Sequence, residues 1–282
     1  MIYVSSSCLR EKNIIESVEV LANRGFRHME LSSGSGYCSN IEREILRLKN
    51  KYGLNYLCHN YFPPLKKPLV LNLSSLNDNI FNKTIGSLEN SIKLSRKMGV
   101  NKFGFHAGFF LDFKVEEIGK KISCRRLFDR DMCIARFCEG FRRLESTAGN
   151  LELYIENNVI SHTNFKTFQG ISPVMLVCYR DYLELKKLIN FKLLLDVGHL
   201  KVSSQSLGLN FEDELSKMMA VSDYLHISDN DGSADQNRRI KEDSDLFALL
   251  RKNDIKGKLV TLEVNEGIAA ISRSFQLLER LM

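Results

Sequence analysis

The sequence is first informative for what it does not contain. Its seven cysteines, at positions 8, 38, 58, 124, 133, 138 and 178, include no C-x-x-C pair. Their odd number fits no closed disulfide framework, so free thiols in a reducing cytoplasm are expected. No apolar run approaches the roughly 20 residues that a membrane span needs, and no membrane partner is expected. The opening MIYVSSS reads directly as a strand, without a charged leader and long apolar stretch, so no signal peptide is expected. The net charge of +6 is not gathered into a basic tract. That disfavours nucleic acid as a partner and suits a small anionic molecule. No linker or low-complexity stretch divides the chain. SSSCLREKN, after the first strand, lacks the glycines of a phosphate-binding turn, which argues against an open doubly wound sheet.

What is present is an ordinary globular composition, 44% hydrophobic and 26% charged over 282 residues, enough for one large core. Short β-branched and aromatic runs begin near Ile2, Phe26, Leu54, Lys102, Leu151, Phe191, Asp223 and Lys258. Between them, helical spacing is read over Ile14–Ala22, Ile41–Leu48, Ile85–Met98, Leu127–Leu144, Tyr182–Ile189, Phe211–Met219, Leu246–Leu250 and Ile268–Leu281. Gly25, Gly53 and Gly99 supply stops after the first three helices. Strand–helix alternation repeated eight times at this length predicts a single-domain (β/α)8 barrel spanning residues 1–282.

Four residues near the ends of apolar runs then stand out: Glu156 in LELYIENN, Asp196 in LLLDVGH, His226 in YLHISDN and Glu263 in LVTLEVN. Side chains alternate faces along a strand, and in a barrel one face points inward. Each of the four has parity opposite to its apolar neighbours and so points inward. They also lie at the carboxyl ends of strands five to eight, where barrel enzymes carry their chemistry. Burying a carboxylate costs several kcal/mol unless a cation or donor compensates it, and no Lys or Arg shares the inward face near these strand ends. Three carboxylates and an imidazole in this setting look like a site for a divalent metal.

His59 ends strand three and His106 strand four with the same inward parity, and Glu30 near the end of strand two shares it. His199 is read in a loop beyond strand six. A lone histidine at a strand end is more often a hydrogen-bonded structural residue, and a lone strand glutamate more often half of an ion pair. Six ionisable residues of one parity on six consecutive strands outweigh that reading. His28 and His162 are left as structural or exposed, Glu30 is balanced between substrate contact and structural partner, and Cys58 should face the helices.

The order ENN, DVGH, HISDNDG and LEV, with H-N-Y-F-P-P and F-H-A-G-F upstream, resembles the xylose isomerase-like barrel superfamily, which includes sugar-phosphate isomerases, epimerases and endonuclease IV-type repair enzymes. The resemblance covers strand two to strand eight. It implies one ion held by Glu156, Asp196, His226 and Glu263, with Mn2+ or Mg2+ favoured by the oxygen-rich set and Zn2+ or Co2+ as alternatives. It implies His199 as a contact to a substrate oxygen, and His59, His106 and Glu30 are placed in the substrate site with it. In endonuclease IV-type sites His59 and His106 would join Glu156 around a second ion. Two departures are visible. Asn237 stands where a third-metal histidine is found in that group, and Gly232 where one epimerase subgroup has arginine.

The chemistry these groups imply is metal-dependent isomerisation or epimerisation of a sugar or sugar phosphate. Glu156 and Glu263 would serve as an acid/base pair, moving a proton through a cis-enediolate. A phosphodiester hydrolase acting on abasic DNA is the alternative. Loops over Tyr61–Asn79, Phe109–Arg125 and His162–Val177 are expected to cover the mouth. Lys66, Lys67, Lys201, Arg238 and Arg239 are candidates for an anionic group, and assembly into a homo-oligomer is left open.

Overall fold

A computed structural model describes residues 1–32 and 36–282. Eight parallel strands close into one barrel in chain order. They are β1 (Ile2–Ser5), β2 (His28–Leu31), β3 (Asn55–His59), β4 (Lys102–His106), β5 (Glu152–Glu156), β6 (Lys192–Asp196), β7 (Ser222–Ile227) and β8 (Leu259–Leu262). Closure is made by β1 against β8, with Val4 beside Leu262.

The helices are α1 (Ile14–Asn23), α2 (Ile41–Tyr52), α3 (Asp78–Lys97), α4 (Arg130–Ala148), α5 (His162–Thr167), α6 (Tyr179–Lys186), α7 (Val197–Leu207), α8 (Phe211–Ala220), α9 (Asp245–Lys252) and α10 (Ile268–Glu279). Among the described residues none is long and apolar enough to cross a membrane. Gly53 follows α2 in the left-handed conformation, φ 64°, and lets the chain turn directly into β3. The cysteines are free, and Cys58 is buried among the helix-facing apolar residues, opposite in parity to His59.

Several sequence expectations are corrected. The segment after β6 is helical, so His199 lies in the first turn of α7. Part of the stretch assigned to a loop after β5 is α5, which begins at the exposed His162. Helix α3 starts at Asp78, seven residues before Ile85, because the Asn77 side chain accepts from the backbone N–H groups of Asn79 and Ile80.

Two apolar layers hold the barrel. The larger lies between strands and helices, while Tyr3, Leu57, Tyr154, Leu194 and Tyr224 fill the interior. Below them the amino-terminal mouth is lined by ions: Glu152 pairs with Lys102 and Lys192, and Lys102 also donates to the Tyr154 hydroxyl at 2.7 Å. Above β3 to β5 the connections pack on one another. Val70, Phe109, Leu111, Ile122, Ile160 and Val174 form a separate apolar cluster. Buried Asn72 pins it, donating to the carbonyls of Phe109 and Leu111 at 3.2 and 3.1 Å. One wall of the carboxyl-terminal mouth is therefore built rather than loose.

Candidate metal centre

Strand register carries six ionisable side chains to one mouth. His106 pairs in the ladder with Glu156, and Asp196 with His226. His59 pairs with Gly104, which has no side chain because none fits: a Cβ there would lie 2.9 Å from His59 Cδ2 and 2.8 Å from Leu194 Cδ2. The missing Cβ lets the His59 ring lie across β4 to reach β5.

Glu156 is the hub and is 1% exposed. Its Oε2 meets His59 Nε2 at 2.7 Å and His106 Nδ1 at 3.0 Å. Its Oε1 lies 3.2 Å from His226 Nδ1 and 3.9 Å from His199 Nδ1. Glu263 approaches the same His226 Nδ1 at 3.5 Å. Three triads bring one ligand atom per residue within 4.8 Å of the others: His59–Glu156–His226, His106–Glu156–His199 and Glu30–His226–Glu263.

Of the four residues expected around one ion, Glu156, His226 and Glu263 converge directly. Asp196 adjoins through His199. One of its oxygens caps α7 by accepting the His199 backbone N–H at 2.7 Å, and the other is 3.8 Å from His199 Nε2. Asp235, in the connection after β7, is 3.5 Å from that same Nε2.

The electrostatics follow from burial among opposite charges. Burial pushes Glu156 up, yet the imidazoles of His106, His59 and His226 outweigh it and hold the carboxylate well below its usual range. Glu263 is brought down to about 2 when His226 overcomes its burial. Burial lowers His226, but Glu30, Glu263 and Glu156 together raise it well above the usual imidazole value. His199 is raised likewise, against burial, by Asp196 and Asp235. Asp196 moves to about 7, driven first by burial and only partly relieved by His199. His106 is lowered by burial, despite Glu156.

These residues fit a divalent cation. Nδ1 of His106 and of His226 are buried and make no well-directed hydrogen bond, although Glu156 is close to both. Among the described residues no lysine or arginine pairs with Glu156, Asp196 or Glu263, so the carboxylates have only imidazoles for company. Clustered carboxylate oxygens and imidazole nitrogens are donors of the kind that hold divalent cations.

Other expectations are revised. Glu30 is 0% exposed, with its carboxylate on His226 Nε2 and the Thr261 hydroxyl, so it sits behind the imidazole and is not a substrate contact. Lys201 is committed to Asp229 at 2.7 Å and to the Asn230 carbonyl, Arg238 pairs with Asp231, and Arg239 lies near Glu266. Lys66 and Lys67 are exposed in the connection after β3. At Gly232 a Cβ would fall 1.7 Å from Gln205 Oε1, so an arginine side chain has no room there unless Gln205 moves.

Asn157 had no assigned role in the sequence reading. Its side chain accepts from the Asp196 N–H at 2.7 Å and donates to the Asp196 carbonyl at 3.0 Å. Its own carbonyl meets His199 Nδ1 at 2.9 Å. The polar pair after an apolar strand in YIENN was the available signal.

The sequence matches the family described as xylose isomerase-like TIM barrel over residues 18–281. Compared with curated proteins by sequence, it finds no match. Among solved structures, a D-tagatose 3-epimerase-like protein superposes with a TM-score of 0.73 and 16% identity, covering 99% of this chain and 96% of that one. The 3-keto-D-glucoside 4-epimerase of E. coli gives 0.66 at 15% identity over 99% and 98% of the two chains. Endonuclease IV of Thermus thermophilus gives 0.61 at 15% identity over 99% and 98%. At such identities the likeness establishes the fold. The family match, spanning nearly the whole chain, goes further: this protein belongs to the xylose isomerase-like TIM-barrel family.

Proposed function

We propose that the protein is a divalent-metal-dependent isomerase or epimerase of a sugar or sugar phosphate. The observation that carries this reading is the convergence of Glu156, His226 and Glu263 at the carboxyl-terminal mouth, with no lysine or arginine paired to them among the described residues. Glu156, Asp196, His226 and Glu263 would hold the ion, which is Mn2+ or Mg2+ by the oxygen count, with Zn2+ or Co2+ the alternatives. When bound, such an ion polarises a sugar carbonyl and its neighbouring hydroxyl, acidifying the carbon-bound proton between them.

The remaining work falls to side chains. Glu263, with 17% of its side chain exposed at the mouth, is the carboxylate open to substrate and removes the proton to leave a cis-enediolate. Glu156, on a strand not adjacent to that of Glu263, passes a proton from the adjoining His59 imidazolium to the opposite face for epimerisation, whereas return by Glu263 to the neighbouring carbon isomerises. His199, anchored by Asn157 and flanked by Asp235, donates to a substrate oxygen. His59 and His106 hold Glu156 in place and line the substrate side. A phosphate on the substrate is left to the exposed lysines 66 and 67, since the other candidate cations are already paired.

Deuterium exchange tests this reading. The metal-loaded protein should incorporate solvent deuterium into a keto- or aldo-sugar, and Glu263→Gln should bind that sugar while losing exchange. Undiminished exchange in Glu263→Gln removes the acid/base assignment.

A second reading has its own support. His59 and His106 meet a single oxygen of Glu156, an arrangement able to bind a second ion and serve a phosphodiester hydrolase of the endonuclease IV kind. Asn237 weighs against a three-ion version. Binding to abasic DNA that falls steeply with salt would favour this reading.

A further inference from the structure

Behind His226 runs a buried chain of polar groups drawn from three strands. Tyr224 on β7 lies 3.3 Å from the Thr261 hydroxyl on β8. Thr261 donates to Glu30 Oε2 on β2 at 3.1 Å. The Glu30 oxygens lie 2.9 and 3.1 Å from His226 Nε2. On its far side, His226 turns Nδ1 to Glu156 and Glu263. Glu30, Thr261 and His226 are all fully buried, so no substrate reaches Glu30.

Burying a carboxylate this deeply is costly, and here the return is orientation. The Glu30 oxygen that accepts from the Thr261 hydroxyl also faces the ring nitrogen at 3.1 Å, which places the imidazole proton between them on Nε2. A neutral histidine carries one ring proton, which leaves the Nδ1 lone pair for the opposite side. We infer that Glu30 is a positioning residue: held by Thr261, it fixes the ring and tautomer of His226 so that Nδ1 is offered to the cation. This rests on the metal-dependent reading above, and it assigns to Glu30 a task distinct from catalysis or substrate contact. A carboxylate on the outer nitrogen of a metal-binding imidazole also raises its basicity as a ligand.

The experiment is calorimetric titration of chelator-stripped protein with Zn2+ and Mn2+, comparing the wild type with Glu30→Gln and Thr261→Val. Glu30→Gln should weaken binding by about 10- to 100-fold and Thr261→Val by less, measured at a temperature where both metal-free variants are folded. A merely structural Glu30 would lower the melting temperature of the metal-free variant while leaving the affinity of the folded protein alone. Nitrogen-15 spectra of Zn2+-loaded wild type should show the His226 proton on Nε2, a readout available even if Glu30→Gln fails to fold. A proton on Nδ1, or a Glu30→Gln affinity within about twofold of wild type, overturns the inference while leaving the metal reading intact. A wild type that binds neither ion removes the metal reading and this inference together.

Discussion

The two mouths of the barrel are built by the same strands and the same parity, yet they solve the problem of buried charge in opposite ways. At the amino-terminal mouth the inward residues of β4, β5 and β6 are Lys102, Glu152 and Lys192. Four positions further along each strand stand His106, Glu156 and Asp196. Below, two lysines flank one glutamate, and their pairing overcomes its burial and lowers its proton affinity. Above, the carboxylates have only imidazoles, groups whose charge depends on pH and which can exchange a proton for a metal. The lower end is a carboxylate paired by the protein's own lysines and partly open to solvent. The upper end is a set of donors for which we propose a cation from outside.

The largest effect should come from removing the hub. Glu156→Ala takes the shared carboxylate from His59, His106 and His226 and should abolish divalent metal binding by calorimetry. It should also cost about 3–5 kcal/mol of stability in urea unfolding, as expected for breaking a buried pair. Next is Gly104→Ala, whose Cβ would press on both His59 and Leu194. Overpacking of this kind costs about 1–3 kcal/mol, and by displacing His59 it should weaken metal affinity as well. The smallest effect is at the floor. Lys102→Met removes one of two lysines from a partly exposed Glu152, so a loss of about 0.2–1 kcal/mol is expected, with metal affinity unchanged. A floor substitution that altered metal binding as much as Glu156→Ala would erase the contrast between the two mouths.

pH sharpens the same contrast. His226 and His199 hold their protons more tightly in the folded protein than the usual imidazole. The stability they contribute is complete below about pH 6.5, the unfolded value, and is lost as pH rises through their folded values. Asp196, raised to about 7 mainly by its burial, contributes stability only while protonated, and that contribution is lost as pH rises from about 3.8 to about 7. Both act in one direction, and above about pH 6.5 the further loss in the metal-free protein comes mainly from the two histidines. A cation competes for the same lone pairs and should bind better there. Melting curves with and without Mn2+ should therefore diverge with rising pH, and a pH-independent gap would contradict the arrangement. At the acid end Glu156 and Glu263, both lowered, contribute stability that is lost as pH falls below about 4.5 toward 2.

Much of this was legible in the sequence because alternation along a strand is a local property. The parity of LYIENN, LLLDVGH and YLHIS placed Glu156, Asp196 and His226 on the inner face without knowledge of their neighbours. Helix α7 was not legible. Val197, Gly198, His199, Leu200, Val202, Ser203, Ser204 and Ser206 are all buried, so VGHLKVSSQSL has no apolar stripe set against a polar one. The task of Glu30 was hidden for another reason. It depends on β2 meeting β7 and β8 across the barrel, between residues 196 and 231 positions apart in the chain. Cross-barrel pairing of that kind leaves no periodic trace.

The most direct measurement is the divalent metal content of protein purified without chelator, with Asp196→Ala, Glu156→Ala and Lys102→Met alongside. The expected result is a stoichiometric ion in the wild type and Lys102→Met that is lost from the other two. A wild type that stays free of metal after Mn2+ and Zn2+ are added back would contradict the claim that the upper mouth is built for a cation.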